Sequence, residues 1–113
     1  MIYKLLTAEQ WATLMQDGVF AGSPDDARDG FIHFSAVDQV AGTLAKYFHD
    51  VDGVVLTEVD PAGCGEALRW EASRGGALFP HLYAPLAKAQ IVRHWALVRG
   101  ADGAYGLPDD LCA

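Results

Sequence analysis

Val54-Val55-Leu56-Thr57-Glu58-Val59 is a β-branched, largely apolar run set between the turn pair Asp52-Gly53 and the strand-breaking Pro61. Branched side chains pack well on a pleated surface and poorly in a helix, so this run reads as a central strand. Immediately upstream, Val37, Val40, Ala41, Leu44 and Phe48 fall on one helical face, and Ser35, with Asp38 in the first turn, is the expected N-cap of that helix. Before it stands Gly30-Phe31-Ile32-His33-Phe34, a short strand ending at Ser35, delivered by the turn-rich segment Val19 to Asp29. At the start of the chain Ile2-Tyr3-Lys4-Leu5-Leu6 reads as a strand, and Thr7 with Gln10 three residues on forms a capping box. The helix it opens carries Trp11, Leu14 and Met15 on one face and stops near Gly18. Downstream, Leu68 to Glu71, Phe79 to Tyr83 and Ile91 to Val98 are further strands. Two β-α units followed by a run of strands predict an α+β domain with few helices packed on a mostly antiparallel sheet.

With 113 residues the chain is the size of one domain, read here as residues 1–99, followed by a tail from Gly100 to Ala113 that is broken by glycines and Pro108. Hydrophobic residues make up 51% and charged residues 20%, a composition that supports a packed core. Fifteen acidic against eight basic side chains leave a net charge of −7, which repels phosphate backbones and anionic lipid surfaces. Neither a nucleic-acid coat nor a membrane is an expected partner. No long apolar stretch and no basic-then-apolar leader follows Met1, so a cytoplasmic protein is expected. Cys64 and Cys112 have no paired spacing and read as free thiols.

Strand alternation sets His33 opposite its neighbours Ile32 and Phe34, so if those two face the core, His33 faces a cleft. A strand histidine satisfied by a backbone carbonyl is the plainer reading of the same residue. Ser35 shares the face of His33, in addition to its expected capping role. Arg69 and Glu71 project from one side of an extended segment, as a binding pair or simply as a surface ion pair. Arg74-Gly75-Gly76 suits a tight turn, whose adjacent N–H groups and guanidinium fit a phosphate or carboxylate. Phe79-Pro80-His81-Leu82-Tyr83-Ala84-Pro85-Leu86 reads as a stiff edge segment presenting His81 and Tyr83 to one side, toward a cleft or toward solvent. No two histidines share a helical turn and there is no H-E-x-x-H pattern, so no metal site is expected. The strained Gly-x-Ser-x-Gly elbow of a serine hydrolase is also missing.

From about Ile2 to Val92 the chain resembles a small bacterial family, domain of unknown function family 952. The likeness rests on Ile2-Tyr3-Lys4, Asp29 to Ser35, Arg69-Trp70-Glu71 and Phe79 to Tyr83. The resemblance implies a fold beside the ADP-ribosyltransferases, and the leading part looks like the NAD-binding half of the RNA 2′-phosphotransferases. In that comparison Tyr3-Lys4 falls where those enzymes carry a histidine that holds the NAD ribose. Phe31 to Ser35 falls on their second-strand motif, which makes His33 a nicotinamide or ribose contact.

The expectation that follows is a cleft that binds NAD or an ADP-ribosyl ligand, lined by His33, Ser35, His81 and Tyr83, with Lys4 a further ligand-binding residue. Arg69 and Arg74 would neutralise a pyrophosphate, and Gly75-Gly76 would let the backbone approach it. Were the protein an NAD-dependent transferase or glycohydrolase, His33 and Glu71 would be its catalytic residues, with Glu71 stabilising positive charge on the ribosyl centre. Lys4 in place of the first histidine, and the lack of a glutamate between Phe79 and Leu86, favour a non-catalytic module for a nucleotide or small anion. A purely structural or interaction protein is the third reading; it predicts no concave site joining His33 to His81, and those two residues on opposite faces would support it.

Overall fold

The computed structural model describes residues 1–111, and for residue 74 the backbone alone. In chain order the elements are β1 (Ile2–Thr7), α1 (Ala8–Asp17), β2 (Val19–Phe20), α2 (Pro24–Asp29), β3 (Ile32–His33), β4 (Ser35–Ala36), α3 (Val40–Tyr47) and β5 (Val54–Val59). β6 (Leu68–Ala72), β7 (Leu78–Leu82), β8 (Leu86–Ala87) and β9 (Ile91–Ala96) complete the chain, which is α+β. Its strands form three antiparallel sheets rather than the single one expected: β4-β1-β5-β9, β3-β7-β6 and the pair β2-β8.

β5 is buried along its whole length, as a strand must be when both its faces carry a core. Paired from Ile2↔Val59 to Thr7↔Val54, β1 and β5 send alternate side chains to opposite sides. Ile2, Leu6 and Val59 pack with Leu14, Ile32, Leu82 and Leu86, whereas Tyr3, Leu5, Val54 and Leu56 pack with Val40, Leu44 and Leu111. The polar residues of β5 are satisfied in place. Thr57 Oγ1 donates to the Lys4 carbonyl at 2.9 Å, and Glu58 accepts from the Tyr3 hydroxyl at 2.8 Å and from Arg93 at 2.9 and 3.0 Å.

α1 begins at the expected Thr7–Gln10 capping box and ends at Gly18 in the left-handed region. Three other expectations are corrected. Val19 to Asp29 is not all turn: Ser23 caps α2, Pro24 takes its first position, and Asp26 reaches back to the Ser23 N–H at 2.8 Å. Ser35 caps no helix. Its pairing with Tyr3, and that of Ala36 with Ile2, keeps the chain extended, so α3 starts only after a 3₁₀ turn over Val37–Gln39. The buried stripe therefore shrinks to Val40 and Leu44, with Val37 and Ala41 exposed.

The third correction concerns Phe79 to Leu86, which is no edge segment, because β7 is the middle strand between β3 and β6. Pro80 is tolerated there because its carbonyl accepts from the Phe34 N–H at 2.9 Å, so its ring nitrogen faces the same side, where β3 has already ended. After Arg99 the chain folds back: Tyr105 donates its hydroxyl to the Val51 carbonyl at 2.5 Å, and Leu111 is buried. Among the described residues, no helix is long and apolar enough to cross a membrane.

Candidate functional site

β4 covers β1 only at Ile2 and Tyr3, and among the described residues no strand pairs with Lys4 to Thr7 on that side. A cleft of about 480 Å³ opens along this edge. Asp26, Arg28 and Asp29 of α2 form one wall, Thr43, Tyr47 and Phe48 of the α3 end form another, and His33, Phe79 and His81 close it. Ser35 lies within, its Oγ 2.9 Å from Thr43 Oγ1.

Lys4, 8% exposed, meets Asp26, 2% exposed, with Nζ 3.2 Å from Oδ2. Asp26 Oδ1 also accepts from the His33 N–H at 3.1 Å and lies 2.6 Å from His33 Nδ1, while Asp29 Oδ2 lies 3.0 Å from Nε2. Each ring nitrogen thus faces a carboxylate oxygen, and only the doubly protonated ring donates to both. Burial pushes the Asp26 carboxyl up, but the bond to His33, the Lys4 charge and the N–H groups of Ser23 and His33 outweigh it and hold the group well below the usual carboxylate range. For Lys4 burial wins, and its ammonium is held below the ordinary lysine value despite Asp26. Gly22 makes room for this arrangement: its φ is +123°, and a Cβ there would stand 2.9 Å from Asp26 Cβ.

The other half of the wall is one face of the β3-β7-β6 sheet. His33 and His81 are direct cross-strand partners, with ring centroids 5.6 Å apart, so they share a face, and Phe31 stacks on His81 at 4.0 Å. His81 Nδ1 is 2.8 Å from Glu71 Oε1, which also accepts from the Tyr83 hydroxyl at 2.7 Å. Those two bonds, that to Tyr83 foremost, hold the Glu71 carboxyl below its usual range.

Of the residues singled out in the sequence, Lys4, His33, Ser35 and His81 line the cleft together. Neither Glu71, which bonds His81, nor Tyr83, which bonds Glu71, lines the cleft, and the Arg69 guanidinium lies over the Tyr83 ring at 5.0 Å. Gly75 and Gly76 form the β6–β7 turn with φ of 65° and 80°, and the Gly76 N–H is spent on the Ser73 carbonyl, so it is not free for an anion. The Arg74 guanidinium and Cys112 lie outside the described residues. Cys64 is a buried free thiol whose acidity is suppressed first by burial and then by Asp60.

Sequence reasoning missed Asp26, the acceptor that joins Lys4 to His33. Its signal was Ser23-Pro24-Asp25-Asp26, a capping box with proline at the first helical position. Among the described residues, no group of three or more His, Cys, Asp or Glu side chains is placed to hold a metal ion.

No curated protein matches the chain. Among solved structures it is similar to the crystal structure of protein CC0527 from Caulobacter crescentus, with 46% identity over 99% of this chain and 98% of that one, and a TM-score of 0.92. The solution NMR structure of the same Caulobacter crescentus protein superposes with a TM-score of 0.80 over 91% of this chain and 89% of that one, again at 46% identity. The family model described as "Protein of unknown function (DUF952)" matches residues 5–94, and the chain belongs to that family.

Proposed function

We propose that this domain is ADP-ribosyltransferase-like and that the cleft along β1 binds NAD or a related ADP-ribosyl ligand. One observation supports the reading: Tyr3-Lys4 and the Phe31 to Ser35 segment, which the resemblance sets against NAD-contacting segments of the RNA 2′-phosphotransferases, come to a single cleft, with Lys4, His33 and Ser35 in its lining. The lining combines the aromatic residues Tyr47, Phe48 and Phe79 with the hydroxyl pair of Ser35 and Thr43, the mixed apolar and polar character that a nucleotide needs. The expected pyrophosphate clamp is revised, since Arg69 and the Gly75-Gly76 turn stand outside the lining, and among the described residues Arg28 brings a guanidinium to it.

Binding without bond cleavage is the form of this reading that the geometry favours. Cleavage of the N-glycosidic bond needs a carboxylate aimed at the developing charge, and Glu71 is instead occupied by His81 and Tyr83. Calorimetric and thermal-shift titrations with NAD, ADP-ribose and nicotinamide test the proposal. Ligand at about a hundred times its Kd stabilises the fold by about 2.7 kcal/mol, and a folded Ser35→Ala or His33→Ala protein should lose that response. No response to any of the three in the wild type removes the reading. Nicotinamide released on incubation with NAD would replace binding alone with turnover.

A further inference from the structure

Among the described residues, His81 is the one the cleft leaves incomplete. Its side chain is 5% exposed, and Nε2 is buried without a hydrogen-bond partner among the described residues, although His81 lines the cleft. Buried polar atoms are nearly always paired, so a bare one in a cleft wall marks where an outside group completes the structure. The opposite nitrogen fixes what kind of group that is. Nδ1 faces Glu71 Oε1 at 2.8 Å, and Glu71 is itself pinned by the Tyr83 hydroxyl at 2.7 Å. A carboxylate only accepts, so Nδ1 carries the proton, and whenever the ring holds a single proton its lone pair is the one at Nε2. Phe31, stacked at 4.0 Å, and the paired strands β3 and β7 hold the ring in that orientation.

We propose that His81 Nε2 accepts a hydrogen bond from a ligand hydroxyl, that of a ribose, and that Glu71 and Tyr83 are positioning residues that keep the lone pair there. This deepens the cleft reading and rests on it. His81 thereby selects ligands that bring a hydroxyl donor to that point of the wall.

The test begins without ligand. Long-range ¹⁵N–¹H spectra of the His81 ring, taken at a pH where the ring is neutral, should show a protonated Nδ1 and a bare Nε2 in the wild type. Glu71→Gln retains an oxygen acceptor and should keep that tautomer, whereas Glu71→Met removes it and should move the proton toward Nε2. Titration with ADP-ribose should then show affinity about tenfold weaker in Glu71→Met and little changed in Glu71→Gln, with nicotinamide insensitive to both. A wild-type ring protonated at Nε2, or a Glu71→Met ring that keeps the original tautomer, overturns the proposal. Binding of ADP-ribose that Glu71→Met leaves unchanged overturns it while the cleft reading stands. A wild type that binds neither NAD nor ADP-ribose removes both.

Discussion

A lysine and an aspartate removed from water are costly singly and tolerable together, and Lys4 and Asp26 show what such a pair is for. Asp26 ties β1 to β3 through Lys4 and His33 while capping its own helix at Ser23. Asp26→Asn leaves a buried ammonium without its counter-charge and should cost about 3 to 5 kcal/mol, measured by urea denaturation. Lys4→Met combined with Asp26→Asn should cost less than the sum of the two single changes, because the stranded charge is gone. The pH dependence follows from the direction of the shift. Asp26 is more acidic folded than unfolded, so its stabilisation is complete above the ordinary carboxylate range and is lost as pH falls below it. Over the same acid range, the stability of Asp26→Asn should change less steeply than that of the wild type.

At the level of elements, the loop before α2 is held by Gly22, whose left-handed φ and close approach to Asp26 exclude a side chain. Gly22→Ala should destabilise by about 1 to 2 kcal/mol and shift the backbone signals of Asp26 and His33 in an ¹H–¹⁵N spectrum. A variant with wild-type stability and spectrum would contradict that packing. The elements that could be read from the chain were those decided locally. Thr7, Gln10 and Gly18 set both ends of α1 within a few residues, and the β-branched run at Val54 had no alternative use. Ser35 was misassigned because its fate is set by Tyr3, far away in sequence, and Pro80 because the early end of β3 makes room for it. Of the site, His33, Ser35 and His81 were legible by strand alternation. Asp26 was not, since a buried role for a helix-capping aspartate appears only when Lys4 and His33 come together across it.

Across the whole molecule, the central sheet carries a core on each face, and the open edge of β1 joins the two sides in one cleft. The C-terminal segment completes the α3 side: Leu111 is buried, Arg93 links Glu58 to Asp110, and Tyr105 holds Val51 and Gly53. Leu111→Ala should therefore destabilise the entire domain in one transition, by about 2 kcal/mol or somewhat more, seen as a lower Tm with a single cooperative melt. An unchanged Tm would show that this segment adds nothing to the core.

The most direct test of the central claim is residue-by-residue shift mapping in ¹H–¹⁵N spectra during titration with ADP-ribose. Changes confined to Lys4 to Thr7, Asp26 to Ser35 and Thr43 to Phe48, together with His81, are the predicted result. No changes at saturating ligand, or changes confined to β9 on the far edge of the central sheet, would contradict the account.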